Sequence, residues 1–102
     1  MKAISLIDTQ RLGLINHEPV DELVAGHVEI AIVLSGICGT DLAVLTGREE
    51  GHIGVIRGHE AVGIIINVGK HVTSLQPGMR VVIDTNEYCA NCEHCRIAKQ
   101  HL

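Results

Sequence analysis

Residues 58–69 read GHEAVGIIINVG. Behind the polar triplet Gly58-His59-Glu60 runs an apolar stretch of isoleucine and valine, closed by Gly69. β-Branched side chains are stiff at χ1 and fit a pleated surface better than a helix, so this stretch predicts a strand. Gly63 inside it predicts a bulge or a close backbone approach. The same chemistry pervades the chain. Among 102 residues there are 13 Ile, 11 Val and 11 Gly, and Tyr88 is the one aromatic residue. The core must be aliphatic, built from short strands and tight turns. Composition therefore predicts one small, mostly β domain over residues 1–102.

Working outward, HVEIAIVL (27–34) places Val28, Ile30, Ile32 and Leu34 on one face. That is the period-2 signature of a strand with one well-buried face. KAISLI (2–7) alternates loosely and predicts an edge strand, with RLGLIN (11–16) returning as its hairpin partner. In SGICGTDLAVLTG (35–47), Thr40 or Asp41 is placed to cap a short helix running through Leu45. LQPGMRVVID (75–84) predicts a turn at Pro77-Gly78 followed by another strand. Residues 85–102 have lost apolar periodicity and are polar and cysteine-rich.

The formal charge of −4 and pI near 5.9 argue against a nucleic-acid surface, which is normally basic. No apolar run approaches the roughly 20 residues needed to cross a bilayer, and the first residues do not read as an export signal. The expected setting is cytoplasmic and reducing, where four cysteines serve as ligands or free thiols rather than disulfides.

Two constellations carry chemistry. The first is Cys38 with His59 and Glu60, each at the end of a glycine-broken apolar stretch. A thiolate and an imidazole bind zinc well, and a carboxylate can join them. Taken singly, Cys38 reads as a small buried hydrophobe and His59 as a satisfied loop histidine. The neighbours shift that weighting, because Asp41 offers a carboxylate to orient a ligand histidine and Thr40 adds a hydroxyl. The second constellation is Cys89, Cys92 and Cys95, at two overlapping C-x-x-C spacings. Metal binding is the preferred reading, with a redox thiol cluster as the competitor. His17, His27, His52 and His71 stand alone and read as solvated. His94 and His101 are candidate substitute ligands near the cysteines.

GICGTD (36–41), GHEAVGIIINVG, LQPGMRVV (75–82) and the cysteine cluster, in this order, resemble the zinc-dependent medium-chain alcohol dehydrogenases, in the branch of polyol, sugar and threonine dehydrogenases. The resemblance covers about residues 27–102. It implies a GroES-like, partly open β-barrel with short helices and a cysteine-rich zinc lobe at its C-terminal end. It also implies site roles. Cys38 and His59 match catalytic zinc ligands, and Glu60 matches a carboxylate that enters or borders the zinc shell. Thr40 matches the hydroxyl that takes the substrate proton, and Asp41 the partner of the ligand histidine. Cys89, Cys92 and Cys95 match three of four structural zinc ligands, and residues 96–102 fill the family's spacing to the fourth. The lobe at 85–102 is thus expected to be cut short.

The implied activity is NAD- or NADP-dependent oxidation of an alcohol, polyol or sugar hydroxyl by a homo-oligomeric parent enzyme. Two departures bear on it. Ala43 stands where many relatives continue the proton relay with histidine, and Gly39 stands where some carry a basic residue facing the cofactor. No strand–G-x-G-x-x-G–helix unit occurs in this chain, so no cofactor-binding residue is assigned and the chain by itself is expected to be inactive. The alternative from another class is a non-catalytic zinc module that acts by association.

Overall fold

The computed structural model describes residues 1–19 and 21–99. Strands β1 (Lys2–Asp8) and β2 (Arg11–Asn16) form the expected antiparallel hairpin, pairing Ala3 with Ile15 and Leu6 with Leu12. The turn between them is closed by Thr9 N–H donating to Asp8 Oδ1 at 2.8 Å. β1 is not an edge strand, contrary to the reading of KAISLI. Its other side is bonded by residues 54–57: Gly54 N–H donates to Leu6 O (2.8 Å), Leu6 N–H to Val55 O (3.3 Å) and Arg57 N–H to Ile4 O (2.9 Å). Pairing on both sides buries Ser5 and Leu6 in the middle of β1, and Ser5 Oγ is satisfied by Val55 O at 3.0 Å. The chain leading to His59 is thus stitched to the hairpin.

The second sheet has the order β3 (Val28–Ser35), β4 (Ala61–Val68), β5 (Arg80–Val82), all antiparallel. Gly63 pairs with Ile32, and a Cβ there would come within 2.5 Å of Ala31 O, which explains the glycine as a close approach. Pro77 and Gly78 form the predicted turn. Gly78 has φ +89° and Met79 N–H donates to Gln76 O at 3.2 Å, the geometry of a type II turn with proline second and glycine third.

One expectation fails for β3. Ile32 is 48% and Leu34 68% exposed, so the face 28–34 is not continuously buried. Register shifts at Glu29/Ile30 and Ile32/Leu34 rotate side chains out of strict alternation. Beyond them, among the described residues, nothing covers the end of the strand.

Helix α1 (Gly39–Leu45) follows β3 and is capped by Cys38, not by Thr40 or Asp41. Asp41 is the third helical residue and its carboxylate reaches back to the cap, so it contributes to capping from inside the helix. α1 turns Ala43 and Val44 inward, and with Leu6, Ala61 and Ile65 they make the buried hydrophobic core. Ala43, which takes the place of the relay histidine in the resemblance, is a core position. A last short helix, α2 (Glu93–Arg96), buries nothing. The radius of gyration is 15.9 Å, against about 13 Å for a compact 100-residue domain; the sheets are open and the core is thin. No helix among the described residues is long and apolar enough to cross a membrane.

Candidate functional site

Helix α1 begins where β3 ends, and β4 begins where the 54–57 stretch leaves the hairpin. The two junctions meet: Gly36 N–H donates to Glu60 O at 2.7 Å. This contact brings the GICGTD and GHE segments together. Donor atoms of Cys38, His59 and Glu60 all lie within 4.8 Å of one another. Cys38 and His59 are half-buried and Glu60 is exposed, so the cluster opens toward water. Thr40 Oγ1 lies 3.5 Å from His59 Nε2, so the hydroxyl faces the same spot.

Room for the carboxylate depends on Gly36, because a Cβ at that position would lie 2.6 Å from Glu60 Oε2. Beside the cluster, an open cleft of about 570 Å³ runs between β4 and the end of β5, with Val62, Val82, Asp84 and Thr85 on its walls next to His59 and Glu60. A small polar molecule can enter it without displacing any element.

Asp41 does not take the place expected of it. Among the described residues it makes no hydrogen bond to His59. Its Oδ2 accepts Cys38 N–H at 3.0 Å, and its Oδ1 accepts Arg57 Nε–H at 3.1 Å with Arg57 Nη2 at 3.0 Å. A side chain only 6% exposed needs its polar atoms satisfied, and Arg57, not His59, does so at Oδ1. Arg57 was not singled out in the sequence. It lies outside both motifs, and an arginine between two loop residues reads as a solvated charge.

The second cluster is built differently. Sγ of Cys95 lies 3.8 Å from that of Cys89 and 3.5 Å from that of Cys92. Tetrahedral zinc with Zn–S bonds of about 2.3 Å separates its sulfurs by about 3.8 Å, so Cys95 stands near ligand spacing from both partners, and all three sulfurs lie within 4.8 Å of one another. Cys92 N–H donates to Cys89 Sγ at 3.3 Å. The Asn91 and Cys92 amides, followed by the Cys92 and Cys95 thiols, bring the Cys89 thiol down from 9.0 to about 7. Cys95 moves the other way, chiefly through its hydrogen bond with Cys92. His94 is not part of this group of donors, and His101 lies outside the described residues. His17, His27, His52 and His71 are exposed, as expected.

The mixed cluster also fits a metal. Three donors of the sulfur, nitrogen and oxygen types that zinc accepts converge, with an open side left over.

Comparison with known proteins follows the same lines. Residues 24–102 match the family described as the alcohol dehydrogenase GroES-like domain. The chain is 41% identical over 78 residues to an S-(hydroxymethyl)glutathione dehydrogenase of Escherichia coli O6:H1, a match spanning 76% of this chain and 21% of that protein. Among solved structures it resembles a short chain alcohol dehydrogenase of Escherichia coli CFT073 complexed with NADH. That likeness has a TM-score of 0.85 and 34% identity, over 98% of this chain and 29% of the other. It also resembles zinc dependent alcohol dehydrogenase 2 of Streptococcus pneumonia, in the apo form, with a TM-score of 0.81 and 30% identity over 95% of this chain and 28% of that one. The chain therefore spans about a fifth of the length of such curated relatives.

Proposed function

The chain belongs to the alcohol dehydrogenase GroES-like domain family, and from that membership we propose that it is the zinc-carrying catalytic portion of an NAD- or NADP-dependent dehydrogenase. The reaction is oxidation of the hydroxyl of a small alcohol, polyol or sugar to a carbonyl. The observation that carries this reading is the convergence of Cys38, His59 and Glu60 within 4.8 Å beside the Thr40 hydroxyl.

In this reading Cys38 and His59 hold a catalytic zinc, and Glu60 joins them or stands at its edge. The ion supplies Lewis acidity that lowers the pKa of a bound hydroxyl toward neutrality. The chain's own groups do the rest. Thr40 Oγ1 accepts the proton of the substrate hydroxyl and hands it to water in the open cleft, since Ala43 supplies no further relay group. Val62 and Val82 give the cleft an apolar wall, and Asp84 and Thr85 offer hydrogen bonds to a second hydroxyl of a polyol. Nicotinamide is held by a separate nucleotide-binding domain.

Cys89, Cys92 and Cys95 hold a second zinc that acts only on structure. Residues 1–102 act as one domain, in the cytoplasm, within a homo-oligomer. The test joins this chain to the nucleotide-binding part of its Escherichia coli relative and follows alcohol-dependent nicotinamide reduction. Turnover that disappears in Cys38→Ser is expected; a folded, zinc-loaded protein that reduces no nicotinamide with any alcohol overturns the assignment.

A further inference from the structure

Helix α1, which carries Cys38 at its start, and the stretch carrying His59 and Glu60 come from different parts of the fold. Among the described residues, two side-chain hydrogen bonds join them. One is the 3.5 Å contact of Thr40 with His59. The other is the Arg57–Asp41 pair, where Nε and Nη2 both reach Asp41 Oδ1 at 3.1 and 3.0 Å. Arg57 is fixed at its own backbone to the hairpin through Ile4 O. Asp41 is fixed through its Oδ2 to Cys38 N–H. The result is a continuous line from β1 through Arg57 and Asp41 to the backbone of the metal-binding cysteine.

We propose that Arg57 is a positioning residue, whose paired donors to Asp41 set Cys38 at metal-binding distance from His59. The proposal rests on the zinc reading of that cluster. Arg57 touches neither donor and acts only through the carboxylate. Its side chain is 22% and that of Asp41 7% exposed, so water cannot simply replace the guanidinium. Without it, a buried carboxylate has lost its counter-charge and must turn toward solvent, releasing the cap on Cys38. A lysine can restore the charge but donates from one point rather than through a planar fork. Partners that orient metal ligands commonly govern affinity at the metal itself.

The test is a zinc titration of the whole chain read by NMR. The ring nitrogens of His59 report the mixed cluster, and the amides of Cys92 and Cys95 report the cysteine cluster in the same sample. Arg57→Met should weaken zinc at His59 by about tenfold to a hundredfold, Arg57→Lys should recover part of it, and the cysteine cluster should keep its parental affinity. Unchanged affinity at His59 in Arg57→Met overturns the proposal. So does an equal loss at both clusters, which would mark a general destabilisation.

Should Arg57→Met fail to fold, the double variant Arg57→Met/Asp41→Asn decides instead. It leaves no buried charge unpaired and keeps an acceptor for Cys38 N–H. Weakened zinc at His59 in that variant supports the tether, and parental affinity overturns it. A parent chain whose His59 does not respond to zinc overturns the metal reading itself, and shows it before any variant is made.

Discussion

The two clusters of potential ligands in this chain are held by opposite means. Cys38, His59 and Glu60 are brought together by the fold: a hairpin bonded on both sides of β1, two strand ends meeting at Gly36 and Glu60, and a buried ion pair between them. Cys89, Cys92 and Cys95 lie within seven residues, on exposed chain whose short helix buries nothing. Their spacing is set by local hydrogen bonds from Cys92 N–H and between the thiols. The first geometry should outlast removal of the metal and the second should not. An open site that exchanges substrate needs ligands placed in advance, whereas a structural ion can itself supply the order it requires.

The sharpest way to break that contrast is chelation. Structural zinc contributes roughly 10–16 kcal/mol to the folding of small zinc peptides, and little else holds residues 85–99. Removing zinc should therefore raise amide exchange throughout 85–99 to the level of open chain, while Leu6 and Ile65 stay protected. Hydrogen exchange with and without chelator measures both at once. Equal loss of protection in both regions would show that the sheets depend on the lobe.

The complementary cut falls on the ion pair. Asp41→Ala leaves Arg57 facing a buried gap, and breaking a buried pair by deleting one partner costs about 3 kcal/mol. A denaturant titration followed over β4 should show that loss, with the cysteine lobe of the zinc-loaded chain unaffected.

How much of this was legible in the sequence differs between the two regions for a physical reason. Spacing within seven residues survives any fold, so the cysteine cluster could be read directly. The mixed cluster joins Cys38 to the distant pair His59 and Glu60, and here the motifs point to it because each lies at a junction of strand and loop, Cys38 just after β3 and His59-Glu60 just before β4. Arg57 could not be read. Its role depends on the burial of Asp41, which no local pattern announces, and the resemblance assigns Asp41 to His59 instead. The alternation in 27–34 was also real, yet it shows only that a face is apolar. It does not say that anything covers Leu34, and it does not reveal the register shifts at Glu29 and Ile32. KAISLI reads as an edge because the stretch bonded to its outer side, 54–57, forms only an isolated bridge between Ser5 and Ile56 and has no strand signature of its own.

A smaller effect separates the thiols within the exposed cluster. In the metal-free chain the Asn91 and Cys92 amides stabilise a thiolate at Cys89, lowering its pKa to about 7, while Cys95 is shifted upward. A lowered thiol pKa means that the reactive form appears as pH rises through about 7 and is lost below it. Alkylation followed by peptide mass analysis should reach half its maximal rate at Cys89 near that pH, with Cys95 responding only at higher pH. Bound zinc should abolish the difference by holding all three sulfurs as thiolates.

The finest distinction is available at Gly36. An added Cβ would meet Glu60 Oε2 at 2.6 Å and Glu60 Cβ at 3.2 Å. The nearer atom is the far end of a flexible side chain, which can rotate into the open cleft, so Gly36→Ala should cost about 1 kcal/mol or less. Its backbone hydrogen bond to Glu60 O is unaffected by a methyl group. The carboxylate, however, must leave its position beside Cys38 and His59. Gly36→Ala should therefore behave as a selective probe: near-parental unfolding, an unchanged cysteine cluster, and zinc at His59 weakened several-fold, well short of the loss expected from Arg57→Met. Parental zinc affinity in Gly36→Ala would place Glu60 outside the ligand set and leave Cys38 and His59 as the fold's own contribution to the site.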